Sequence, residues 1–191
     1  FVETGETVFL DFRETAPTGA NPDWWPKNED GSWGGYYDMQ LSPQGIAVPG
    51  YVKGMMYALE NYGTMDREQV LSPSVELATK GFPVGAFMNS VLIDEYDWYT
   101  ITEETEKIYY KDGMPYEVGD IYTNPELAAT IQKIIDEGVD GFYTGSVAQA
   151  IVDTCNKYGN TMTLEDLANF EVKVRTPVSG NYRGYTAVSY T

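Results

Sequence analysis

At 191 residues the chain is long enough for one domain with a real core, and 42% hydrophobic with 14% aromatic content excludes a disordered tail. Lys and Arg number 12 against 29 Asp and Glu, a formal charge of -17 that argues against nucleic acid and anionic membrane surfaces as partners. The absence of histidine removes Ser-His-Asp and Cys-His chemistry and histidine-based metal sites, and the single cysteine, Cys155, cannot form a disulfide within the chain.

Residues 2–12 read as the end of one strand, a Thr-Gly turn and a second strand. The chain starts inside the first strand and with Phe1, so an excised piece of a longer chain is expected. No apolar run is long enough to span a bilayer, and there is no signal-peptide pattern.

Residues 17–49 read as a long irregular connection carrying Trp24, Trp25 and Trp33 among Asn21, Pro22, Gly31, Gly34 and Gly35. Burying a tryptophan gains roughly 3 kcal/mol, which favours order; a carbohydrate-binding aromatic patch is the alternative. The glycines here lack the Lys and the strand-helix context of a phosphate loop.

From Val48 the pattern turns helical. Val52, Met55, Met56 and Leu59 make one apolar face, with Gly63 as C-terminal cap. Residues 66–69 resemble a capping box opening a short helix. Ser72-Pro73 restarts a turn with proline in the first helical position, and Gly81 stops it. Val84, Phe87, Met88 and Val91 give a further apolar face.

Residues 94–111 are acidic and aromatic. A solvated helix end and loop is one reading; a calcium site is the other, although the Asp-x-Asp-x-Asp-Gly spacing is missing.

The clearest helix follows: Asn124 caps, Pro125 sits in the first turn, Leu127, Ile131, Ile134 and Ile135 line one face, and Gly138 closes it. A helix over 144–158 turns Val147, Ile151 and Tyr158 inward, with Gly159 after it and Cys155 as a small buried hydrophobe. Thr163 to Asp166 opens a short helix. Extended chain follows through Val172 and Val174, a turn at Ser179-Gly180-Asn181, and a last strand through Tyr185 and Val188. Strands at both ends with helices between is α+β order rather than a βαβ series.

The segment with most chemistry is Leu10-Asp11-Phe12-Arg13-Glu14-Thr15-Ala16-Pro17. An arginine just after a short strand suits a two-pronged grip on a carboxylate. A surface pair with Glu14 or Asp11 is the plainer alternative.

This segment resembles the signature near the front of the large chain of gamma-glutamyltransferases (gamma-glutamyltranspeptidases). The resemblance continues in order through Val48-Pro49-Gly50-Tyr51-Val52-Lys53-Gly54, Tyr62-Gly63-Thr64-Met65, Leu77-Ala78-Thr79-Lys80-Gly81-Phe82-Pro83-Val84 and Gly119-Asp120. It then runs through Asn124-Pro125-Glu126-Leu127-Ala128, Phe142-Tyr143-Thr144-Gly145, Glu165-Asp166-Leu167-Ala168, Arg175-Thr176-Pro177-Val178-Ser179-Gly180 and Tyr182-Arg183-Gly184-Tyr185. Residues 21–44 depart most from the family pattern.

The resemblance implies an αββα sandwich of the N-terminal-nucleophile hydrolases. Residues 1–191 would be a single partial domain of the large subunit, its sheet completed by segments outside the chain and its own strand edges left unpaired. It implies cleavage of gamma-glutamyl amides such as glutathione, the glutamyl group passing to water, an amino acid or a peptide. The nucleophile is a threonine exposed by self-cleavage at the start of a small subunit, with its own amine as base, so no histidine is needed. That threonine is expected outside this chain, Thr191 is not it, and the 191 residues alone are expected to be inactive. One functional residue carries over: Arg13, binding the alpha-carboxylate of the gamma-glutamyl group. Glu14 is expected to orient Arg13 or pair elsewhere. The family implies no cofactor and no metal, the catalytic small subunit as partner, and a periplasmic or extracellular setting. A polyglutamate-cleaving or cephalosporin-acylase-like relative of the same fold, and a non-catalytic binding module, are the competing readings.

Overall fold

The computed structural model describes residues 5–25, 27–32, 35, 39 and 42–190. The proposed first strand at Val2, and Trp33 and Gly34 of the connecting segment, lie outside the described residues. Packing divides the chain into two compact units. Arg67 to Asp136 forms one; the chain before and after it forms the other.

The unit built from both ends of the sequence begins with β1 (Phe9–Asp11), which pairs antiparallel with β6 (Lys173–Arg175) in the register Phe9↔Arg175, Leu10↔Val174 and Asp11↔Lys173. Thr15 and Val48 then bridge, with Val48 N donating to Thr15 O at 2.8 Å. Between them, the described residues of 17–47 include 3₁₀ turns at Pro22–Trp24 and Pro43–Gly45. The second turn is held from below by the buried side chain of Asn160. Its Nδ2 donates to Pro43 O at 2.7 Å and Ile46 O at 3.0 Å, and its Oδ1 accepts from Met162 N at 2.8 Å. All its polar atoms thus find partners, as burial requires.

Helix α1 (Tyr51–Tyr62) follows directly. Met56 is buried as its spacing predicts, but Met55 is exposed. Gly63 is the C-cap, in an extended rather than left-handed conformation, its N–H donating to Leu59 O. The core of this unit comes from the later helices: α7 (Asp140–Tyr143), α8 (Gly145–Lys157) and α9 (Leu164–Ala168). Val48, Tyr143, Ala148, Val152, Cys155, Met162, Leu167 and Phe170 form one buried cluster. Cys155 is therefore packing material, and burial pushes its thiol pKa up, away from the reactive thiolate. The inward face of α8 is Ala148, Val152 and Cys155, flanked by the half-buried Val147, Ile151 and Tyr158. Thr163 and Asp166 form a reciprocal capping box that starts α9.

The chain ends in the hairpin β7 (Val178–Tyr182) and β8 (Tyr185–Ser189), exposed along both strands. The turn is Arg183-Gly184, not the expected Ser179-Gly180-Asn181, which lies in β7 and its pairing. A two-residue hairpin loop of this twist needs positive φ at both positions. Arg183 and Gly184 supply it, at 52° and 87°, and Asn181 Oδ1 accepts from Gly184 N at 3.2 Å.

The second unit contains α2 (Arg67–Lys80), β2 (Phe82–Pro83), α3 (Ala86–Asp94), α4 (Tyr96–Tyr99), α5 (Glu103–Tyr109), the ribbon β3 (Tyr110–Lys111) with β4 (Met114–Pro115), β5 (Ile121–Tyr122) and α6 (Pro125–Glu137). Pro73 does not restart a helix; it sits inside α2, on an exposed position. The apolar face of α3 turns on Leu92, with Phe87 exposed and Val84 buried just ahead of the helix. Asn124 Oδ1 caps α6 through Leu127 N at 3.0 Å, and Gly138 closes it at a φ of 69°. The buried positions of α6 are Ala128 and Ile134, whereas Leu127 is exposed. The acidic, aromatic stretch is a run of short helices and a ribbon, with tyrosine rings meeting edge to face at Tyr96–Tyr110 and Tyr99–Tyr109. Among the described residues, no group of three His, Cys, Asp or Glu is placed to hold a metal ion.

Candidate functional site

The end of β1 turns its next residues into a cleft of about 800 Å³. Asp11, Phe12, Arg13 and Glu14 form one wall, Pro49, Gly50 and Tyr51 a second, and Arg175 and Tyr190 close it. Two guanidinium groups therefore line it together with the N-terminal end of α1, whose dipole adds positive potential there.

The two arginines are held differently. Arg175 Nε donates to Asp11 Oδ2 at 2.7 Å across the β1–β6 pair, with side-chain exposures of 50% and 24%. That hydrogen bond holds the Asp11 carboxyl below the usual carboxylate range. Arg13 stands out at 82% side-chain exposure, its Nε 3.5 Å from Glu14 Oε1. The plainer sequence reading, a surface pair between Arg13 and Glu14, is thus formed, but loosely. An exposed pair of this length is worth about 0–1 kcal/mol, so it leaves the fork open to a better carboxylate. Asp11 touches Arg13 through the backbone instead: Arg13 N donates to its Oδ1 at 3.4 Å.

Phe12 fixes the backbone between these two residues. It packs against the core cluster and lies over Gly50 and Gly54 of the α1 segment. Behind α1, Tyr143 Oη donates to Pro49 O at 2.7 Å and accepts from Lys53 N at 3.1 Å; burial pushes the pKa of this phenol up, against the opposing effect of the Lys53 N–H. Lys53 Nζ donates to Phe170 O at 2.6 Å and Ala168 O at 3.2 Å and lies 5.0 Å from the centroid of the Tyr143 ring. On the far side of the motif, Thr18 N donates to Asp166 Oδ1 at 2.9 Å. Burial acts to raise the Asp166 pKa, but the hydrogen bonds from Thr18 and Thr163 outweigh it and lower it overall.

Such a cleft can recognise an anion. The nearest acidic side chains, Asp11 and Glu14, are partners of the arginines, and Cys155 is buried in the core cluster. Arg13, singled out in the sequence, lines this cleft, whereas Arg175 and the glycine seat under Phe12 were not singled out there. The Arg175–Asp11 pair spans 164 positions, so only the strand register brings it together. The seat had a local signal, glycines four apart on one helix face, Gly50 and Gly54.

The family model described as gamma-glutamyltranspeptidase matches residues 1–191. The chain belongs to the gamma-glutamyltranspeptidase family. It is 33% identical over 183 residues to the glutathione hydrolase proenzyme of Bacillus subtilis, covering 96% of this chain and 31% of that protein. It is 35% identical over 195 residues to the glutathione hydrolase proenzyme of Escherichia coli, covering 98% of this chain and 32% of that protein. The crystal structure of Helicobacter pylori gamma-glutamyltranspeptidase superposes with a TM-score of 0.91 at 33% identity, over 98% of this chain and 54% of that one. The chain thus spans about a third of the length of the curated relatives it matches. The likeness carries the expected fold with it: the mixed helices and strands match those of the N-terminal-nucleophile hydrolase sandwich. No described helix is long and apolar enough to cross a membrane.

Proposed function

We propose that the full protein is a gamma-glutamyltransferase and glutathione hydrolase, and that this part of it supplies the anchor for the donor substrate. Arg13 grips the alpha-carboxylate of the gamma-glutamyl group. The carrying observation is an exposed guanidinium in a cleft, joined to its neighbour Glu14 only at 3.5 Å. A bidentate pair with an incoming carboxylate exceeds that bond and fixes the substrate's register, so the gamma-carbonyl is presented at one place.

The reaction needs a nucleophile that this reading locates outside residues 1–191: a threonine with a free amine at the start of a small subunit made from the same precursor. Attack at the gamma-carbonyl forms a glutamyl ester and releases the amine of the leaving group. Water or an amino group then takes the glutamyl unit from the ester. Residues 1–191 form part of one domain of the large subunit, do not turn over substrate alone, and work in a periplasmic or extracellular setting.

The test is steady-state assay of the full-length protein on a gamma-glutamyl anilide beside its R13A variant. A loss of kcat/KM carried mainly by a raised KM supports the reading. Unchanged kinetics in R13A refutes it.

A further inference from the structure

Two glycines at the start of α1 occupy positions that their backbone angles do not require. Gly50 is the helix N-cap with right-handed helical angles, φ -102° and ψ -15°, and Gly54 lies inside the helix, neither with a positive φ. Any residue could adopt these angles, and glycine is a poor helix former. Space is the reason for them. A Cβ on Gly54 would fall inside the ring of Phe12, against Cγ, Cδ1 and Cδ2. A Cβ on Gly50 would run into the Phe12 carbonyl and come within 2.5 Å of Phe170 Cζ. Gly54 thus opens a slot for the Phe12 ring, while Gly50, four residues earlier on the same face, clears the Phe12 carbonyl and the Phe170 ring.

The helix cannot easily back away from an added methyl group. Its first turn is pinned by the Tyr143 hydroxyl, which bonds both Pro49 O and Lys53 N. Lys53 Nζ ties the same turn to Phe170 O and Ala168 O. With the helix held, the clash falls on the Phe12 ring, whose Cγ, Cδ1 and Cδ2 are the atoms a Cβ at Gly54 would meet. A filled slot therefore displaces Phe12, and Arg13 is the next residue.

We propose that Gly54 is a positioning residue for Arg13: its missing side chain seats Phe12 and so sets the point from which the guanidinium reaches the substrate carboxylate. This rests on Arg13 being the carboxylate anchor. Gly54 touches no substrate and acts only through Phe12, so its effect is confined to substrates that carry the carboxylate.

The experiment uses the full-length, processed protein and two anilides, gamma-glutamyl and 4-aminobutyryl, the second lacking the alpha-carboxylate. The readout is the ratio of their kcat/KM values. G54A is expected to reduce that ratio roughly 10- to 100-fold, mainly through the KM of the gamma-glutamyl substrate, as an ångström-scale misplacement does. Activity on the 4-aminobutyryl substrate stays within a few-fold of wild type. The G54A/F12L double variant, in which a smaller side chain vacates the slot, recovers much of the ratio. An unchanged ratio in G54A, or an equal loss on both substrates, overturns the proposal. Should G54A fail to fold, F12L alone carries the test: the ratio falls if the seat positions Arg13, and an unchanged ratio overturns the proposal. R13A is the control that separates the two levels. If R13A leaves the ratio unchanged, the anchor reading itself is wrong; if R13A collapses it and G54A does not, only the role of Gly54 is.

Discussion

Arg175 and Asp11, 164 positions apart, meet through Nε and Oδ2 at 2.7 Å, and the other oxygen of the same carboxylate accepts from the backbone N–H of Arg13. One carboxylate thus ties the last strand of the sheet pair to the residue that carries the exposed guanidinium. Its pKa lies below the ordinary value because its charged form takes the Arg175 hydrogen bond.

A depressed carboxylate pKa contributes stability that is present above the unfolded-state value and is lost as pH falls through the folded-state value. Replacing Asp11 with Asn removes this dependence. Urea unfolding of the full-length protein from neutral pH down to acid should show a shallower acid-side loss for D11N than for wild type. D11N should be the less stable of the two at neutral pH, and the difference should shrink below the ordinary carboxylate range. Parallel curves at all pH values would show that the Asp11–Arg175 bond carries no linkage.

Tyr143 supports α1 through two hydrogen bonds, and Phe at that position leaves Pro49 O and Lys53 N without this partner. Y143F should cost about 1–3 kcal/mol, measured as a lower urea midpoint with an unchanged slope. The raised pKa of this buried phenol predicts a second difference. Its contribution is complete below the unfolded-state value, near the ordinary tyrosine range, and is lost as pH rises toward the folded-state value. Alkaline destabilisation should accordingly be weaker in Y143F than in wild type.

Leu167 is fully buried in the cluster that also holds Tyr143 and Phe170. L167A removes its contacts and leaves a cavity beneath the segment that Lys53 grips, at a cost of about 2–5 kcal/mol. Thermal unfolding measures it. A cost below about 1 kcal/mol would mean that this core collapses around the gap.

Features decided by nearest neighbours were legible in the sequence. Asn124 before Pro125, and Thr163 with Asp166 three residues on, cap their helices as their spacing says, because both bonds close within three residues. Other local signals misled where two patterns competed. Ser179-Gly180-Asn181 has turn composition, yet Arg183-Gly184 adopts the two positive φ values and the preceding residues become strand. Pro73 has breaker composition, yet α2 runs through it on an exposed face. Phe87 keeps the helical period but faces outward, since the buried side of α3 is set by Leu92 and not by periodicity alone. At the cleft, the motif around Arg13 could be read directly. Arg175 and the slot at Gly50 and Gly54 could not, because their meaning lies in what stands opposite them, and strand register and helix docking decide that.

The proposed role of Arg13 is to bind a substrate carboxylate. Isothermal titration of the full-length protein with L-glutamate measures this, with R13A beside wild type and 4-aminobutyrate as the ligand that lacks the alpha-carboxylate. R13A is expected to weaken glutamate binding by about 2–5 kcal/mol and to leave the weaker binding of 4-aminobutyrate unchanged. Equal affinity of wild type and R13A for glutamate would contradict it.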